Sequence, residues 1–164
     1  MKRKISRFAI PSALMFAVLM FEVTADAQHE QVFPFSGNNG LFPASELIAD
    51  SSGNLYGTTL GGGSFGFGVV FEFTPPQVPG GQWSESTLYS FKGAPDGSGP
   101  NANLILDGAG NLYGTTQSGG TCGNLGCGTI FQVSPPSQPG GLWTESLIHD
   151  FPETLVTVKA QWPV

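Results

Sequence analysis

A heptapeptide occurs twice in this chain without a change: Gly53-Asn54-Leu55-Tyr56-Gly57-Thr58-Thr59 returns as Gly110-Asn111-Leu112-Tyr113-Gly114-Thr115-Thr116. Self-similarity of this kind marks a chain built from stacked supersecondary units, and it limits the fold more than any local propensity does. The likeness extends in both directions. Upstream, residues 43–50 answer 100–107; downstream, 68–76 answer 128–136 and 79–86 answer 139–146. Both copies close on an aromatic, Phe91 and Phe151. The offset is 57 residues through the heptapeptide and 60 from Gly68 onward, so the second copy carries three extra residues between those blocks.

Each copy reads as four short strands. The first covers 46–50 or 103–107. A turn with Gly and Asp chemistry leads to the second, 54–59 or 111–116. A glycine loop precedes the third, 69–74 or 129–134, which Pro-Pro ends because proline cannot donate to a ladder. The fourth spans 83–91 or 143–151. Residues 31–35 resemble the end of a fourth strand. Glycines and prolines punctuate the chain too often for long helices. The expected fold is all-β: two tandem four-stranded units of the propeller-blade kind, each burying its faces against a neighbour.

The head of the chain has a different character. Lys2, Arg3, Lys4 and Arg7 precede an apolar run from Phe8 to Phe21, and Ala25-Asp26-Ala27 follows. Basic head, short apolar middle and small-x-small end make a secretory signal peptide, with cleavage expected after Ala27. The run is shorter than the roughly 20 residues a membrane span needs. The expected organisation is therefore a signal peptide at 1–27, a lead-in strand at 28–35, repeats at 36–91 and 92–151, and a divergent tail at 152–164. Beyond residue 27 only Lys92 and Lys159 oppose ten acids, a formal charge of −8. Such a chain cannot clamp a phosphate backbone, which excludes nucleic acid as a partner. The expected location is secreted, periplasmic or at the cell surface. Cys122 and Cys127 fall in the segment that carries the three extra residues. In an exported protein they are expected to form a disulfide, a local clip contributing at most about 2–3 kcal/mol.

With these blocks on view, the chain resembles the GloVer-type tandem repeat proteins of bacteria. The resemblance rests on Asp50, Gly53, Asn54 and Tyr56 with the Thr58-Thr59 pair, on their copies Asp107, Gly110, Asn111 and Tyr113, on Gly68 to Phe71 and Gly128 to Phe131, and on Ser90-Phe91. It implies an exported, propeller-like protein and carries no catalytic residue. Members string many repeats together, and this chain has two, so one expectation is a fragment of a longer propeller.

The remaining motifs favour structure over chemistry. Gly61, Gly63 and Gly66 have dinucleotide-fingerprint spacing, but a strand follows where that fingerprint needs a helix. Asp50, Ser52 and Asn54 have oxygens at the spacing of a calcium loop. Ala109 interrupts the second copy, which favours an Asx-turn. Trp83 and Trp143 are candidates for stacking on a sugar, against inter-repeat packing. His29 and His149 lack a nucleophile elbow. No catalytic, cofactor or metal site is expected. The functional expectation is a structural or interaction module, binding a protein or cell-surface polymer or self-associating through open repeat faces. A carbohydrate-binding or carbohydrate-active protein is the alternative.

Overall fold

A computed structural model describes residues 32–125 and 127–151. The expected signal peptide and the tail at 152–164 lie outside the described residues. Among the described residues, ten strands form two antiparallel five-stranded sheets, one per repeat. The first holds β1 (Leu41–Pro43), β2 (Ile48–Ala49), β3 (Leu55–Gly61), β4 (Val69–Thr74) and β5 (Ser84–Ser90). The second holds β6 (Ser98–Pro100), β7 (Ile105–Leu106), β8 (Leu112–Ser118), β9 (Thr129–Ser134) and β10 (Thr144–Asp150). A 3₁₀ turn, Gly120–Leu125, lies in the longer loop of the second copy. The Cys122–Cys127 disulfide is formed there, with Cα atoms 5.7 Å apart.

Each sheet is a meander in which β3 or β8 pairs on one side with two short pieces and on the other with β4 or β9. Four strands per repeat were expected; the first, expected at 46–50 and 103–107, is only β2 or β7 there, and a further piece, β1 or β6, pairs beside the same neighbour ahead of it. Proline at position 43 or 100 ends the outer piece because it has no N–H to give. In the first repeat the interruption is bridged: the Ala44 amide donates to the Thr58 carbonyl (3.1 Å), and the Thr58 amide donates to Ser45 Oγ (2.9 Å). Residues 32–35, read from sequence as a lead-in strand, lie outside the ten strands.

Alternation along each strand gives every sheet two sides. Leu55, Gly57 and Thr59 share one side of the first sheet with Phe71 and Phe73, their partners on β4. Tyr56, Thr58 and Val70 share the other. The two repeats meet between the second side of the first sheet and the first side of the second. Tyr56, Thr58 and Val70 are buried from one repeat, and Leu104, Leu112, Phe131 and Val133 from the other. Phe91, which closes the first repeat, is fully buried, and its ring meets that of Phe131 edge to face at 4.9 Å. The same contact recurs one repeat earlier, where Phe35 lies 5.1 Å from Phe71 and Phe33 lies 4.5 Å from Phe73. Residues 32–35 thus supply the aromatics that a preceding repeat would supply.

The glycine that both copies of the heptapeptide share has a packing reason. A Cβ at Gly114 would stand 2.5 Å from Phe131 Cζ and 3.0 Å from Leu104 Cδ2. At Gly57 the same atom would meet Phe71 and Leu47 at 2.6 and 2.9 Å. In each sheet the phenyl ring of β4 or β9 packs against the glycine of β3 or β8. Any side chain at that glycine would push the ring away.

Phe91 joins two sheets, whereas its copy Phe151 is 41 % exposed. Phe91→Ala is expected to cost about 3–5 kcal/mol, as for other large buried aromatics. Phe151→Ala is expected to stay within about 1 kcal/mol of the native protein. Urea denaturation of the two variants measures the difference.

Candidate functional site

The repeated Asp-x-x-Gly-Asn-x-Tyr element forms a hairpin turn whose carboxylate is fully engaged. The Gly53 amide donates to the Asp50 carbonyl (3.2 Å), and the Asp50 amide donates to the Asn54 carbonyl (3.0 Å). Gly53 and Gly110 both have φ 85°, a backbone region that a side chain disfavours. Asp50 Oδ1 accepts from the Ser52 and Asn54 amides at 2.8 and 2.9 Å. Its Oδ2 accepts from Asn54 Nδ2 at 2.8 Å and from the Tyr56 hydroxyl at 3.1 Å. The second copy repeats the pattern. Asp107 accepts from the Ala109 and Asn111 amides, Asn111 Nδ2 and the Tyr113 hydroxyl at 2.8, 2.9, 2.8 and 2.9 Å.

These four donors set the electrostatics. Burial pushes the Asp50 carboxyl up, but the donors from Asn54, Ser52 and Tyr56 outweigh it and hold it below its ordinary value. At Asp107 the Asn111 side chain, then its amide, bring the carboxyl down to about 2 against a smaller desolvation effect. The Tyr56 phenol is raised by burial and then by the negative charges of Glu72 and Asp50. Glu72 Oε1 also lies 3.1 Å from that hydroxyl, whose single proton serves one carboxylate at a time. Gln132 stands at the matching place of the second copy.

The two turns border a cleft of about 580 Å³ lined by Asp50, Ser51, Tyr56, Leu106, Asp107 and Gly108 among others. Its two carboxylates spend their oxygens on their own turns. Among the described residues, no three His, Cys, Asp or Glu side chains gather as a metal would require. The Gly61, Gly63 and Gly66 loop runs into β4, a strand. His149 packs its ring against Phe151 at 4.7 Å, and the neighbouring Asp150 carboxylate accepts from the Thr121 amide at 2.9 Å. His29 lies outside the described residues.

Of the two candidate tryptophans, Trp143 is half-buried against the core, its ring 6.5 Å from that of Tyr56 across the repeat junction. Trp83 is half-buried at the matching place of the first repeat. The Trp143 indole thus packs towards the first repeat.

A second groove, of about 510 Å³, opens where the repeats join. Tyr89, Lys92, Pro95, Asp96, Glu145 and Leu147 line it. Asp96 Oδ2 accepts from the Tyr89 hydroxyl at 2.8 Å and from the Lys92 amide at 2.9 Å. The Lys92 ammonium sits 5.7 Å from the centre of the Tyr89 ring. Burial, then the hydrogen bond to Asp96, raises the Tyr89 phenol. Sequence reading did not select these residues. They belong to no short motif, and Asp96 and Glu145 are far apart in the chain. The signal was present all the same: counting back from Pro43 and Pro100 sets Asn39 against Asp96, while Glu85 answers Glu145.

A family model describing the Gloeobacter/Verrucomicrobia repeat matches residues 17–154. The chain belongs to this family. No curated protein and no solved structure matches it. Among the described residues of this repeat protein, no helix is long and apolar enough to cross a membrane.

The turn carboxylates give a pH test. A folded carboxyl held below its ordinary value stabilises the fold above that value and loses this contribution as pH falls through the folded one. For Asp107 the window runs from the ordinary 3.8 down to about 2. Its carboxyl carbon is expected to titrate near pH 2 by NMR, with amide exchange at 109 and 111 accelerating only in that window.

Proposed function

We propose that this is an exported structural and interaction module that works by stacking sheet on sheet, and that its open face takes a second copy of the chain. One observation carries this reading. Tyr56, Thr58 and Val70 of the first repeat are buried, while their copies Tyr113, Thr115 and Ile130 are only half-buried. The sequence is nearly the same at these places. What differs is that the second repeat covers the first set and no part of the described chain covers the other to that depth.

The occupant follows from continuity with the junction inside the chain. There, Phe91 at the close of β5 enters the leading side of the next sheet against Phe131. Phe151 holds the matching place at the close of β10, and its ring is exposed. The leading side of a first repeat offers the corresponding Phe71, covered by Phe35 from a short segment. Leu47 on that sheet is 49 % exposed, whereas its copy Leu104 is buried at 3 %. A second copy seated head to tail would place Phe151 on Phe71 in exchange for Phe35. Such a contact is heterologous and generates rings or filaments. The formed disulfide supports an oxidising compartment. Acidic charge and the absence of a catalytic constellation among the described residues support binding rather than chemistry.

Light scattering on the full chain across a concentration series tests this. Mass is expected to rise with concentration. Phe151→Ala is expected to weaken association about tenfold or more, the effect of losing one central aromatic anchor. Phe35→Ala, by removing the competing ring, is expected to strengthen it. A native chain and a Phe35→Ala variant that both stay monomeric would overturn the reading.

A further inference from the structure

Among the polar contacts at which the two repeats differ, one has a chemical consequence. In the first repeat, Asn39 Nδ2 donates to Glu85 Oε2 at 2.7 Å. In the second, Asp96 stands in the place of Asn39, and Glu145 stands in the place of Glu85. An amide that donates has become a carboxyl that accepts. Two carboxyl groups with no amide between them have no proton to bond through unless one of them keeps its own. The surroundings agree. Asp96 Oδ2 is taken by Tyr89 and Lys92, while Asp96 Oδ1 and Glu145 Oε1 are both buried and have no partner among the described residues.

We propose that Asp96 and Glu145 share one proton across the repeat junction, with Glu145 as the carboxylic acid donating to Asp96 Oδ1, so that the junction is fastened in acid and loosened in base. The titratable and charged groups facing Glu145 are Tyr89 from β5 and Lys92 and Asp96 from the loop that follows it. Burial first, then the charge of Asp96, raises the Glu145 carboxyl to about 7, with Lys92 opposing. A folded carboxyl raised above its ordinary 4.5 holds a proton that the unfolded chain releases. Its contribution is complete below that ordinary value and is lost as pH rises through about 7. An exported protein meets such a range outside the cell, and Glu145 sits where β10 is joined to the first repeat. The device is thus placed to set how firmly the two sheets hold together, whatever the open face of the second repeat binds.

The test uses the full chain. NMR of the carboxyl carbons is expected to show Glu145 titrating near pH 7, and the thermal midpoint to fall by about 3–6 °C between pH 5 and pH 8.5. Asp96→Asn and Glu145→Gln each restore an amide donor and are expected to remove most of that fall. Asn39→Asp, which installs the same pair beside Glu85, is expected to add a second fall. A Glu145 carboxyl that titrates in the ordinary carboxylate range would overturn the proposal without recourse to any variant. So would Asp96→Asn and Glu145→Gln proteins that fold and keep the native pH profile.

Discussion

The contact between Phe91 and Phe131 holds the architecture together. Neither sheet can bury both of its sides alone, because each is a single layer and a layer needs a partner. Phe91 closes one repeat and fills the leading side of the next, so the same residue ends a sheet and joins it to its neighbour. Burying one such ring contributes about 1.5–3 kcal/mol, and its edge-to-face geometry adds about 0.5–1.5 kcal/mol. Around it gather Leu104, Leu112 and Val133 from one repeat and Tyr56 and Val70 from the other. The core is therefore a property of the junction and not of either repeat.

This arrangement explains why the chain repeats the residues it does. The heptapeptide supplies a glycine under a phenyl ring, a tyrosine that reaches back to the turn carboxylate, and threonines for the tight interior of the sheet. The Asp-x-x-Gly-Asn turn satisfies its own amides and sets the reversal between the first and second strands. The turn carboxylates themselves are taken up by four donors each. In this repeat, what persists from copy to copy builds the sheet. The copies differ in residue at Asn39 against Asp96, and in burial alone at the covered Tyr56 against the half-buried Tyr113.

Most of the fold was legible because its determinants are local or repeated. The third strands, 69–74 and 129–134, were expected with the bounds they have. Alternation and the Pro-Pro stop are both local signals. The division of the first strand was not read, because it depends on which amide meets which carbonyl across the ladder at Ala44 and Ser45. The groove at the junction was not read either. Its tyrosine, lysine, aspartate and glutamate come from two repeats and show no spacing that a sequence scan recognises. Aligning the copies residue by residue would have exposed the Asn39-to-Asp96 exchange. Knowing that Glu145 faces it required the sheets to be in place.

The sequence by itself determined the all-β class, the two units and their turns, and the family, because periodicity and turn chemistry act over a few residues and recur. It also placed the two cysteines in a loop particular to the second copy. Tertiary structure alone decided which side of each sheet is covered. Identical heptapeptides give a buried Tyr56 and a half-exposed Tyr113, since burial depends on the neighbour and not on the residue. It also decided that Asp96 and Glu145 line one groove. Proton affinity is set by the groups within reach of a carboxyl, and those were brought together by the stacking of one sheet on the next.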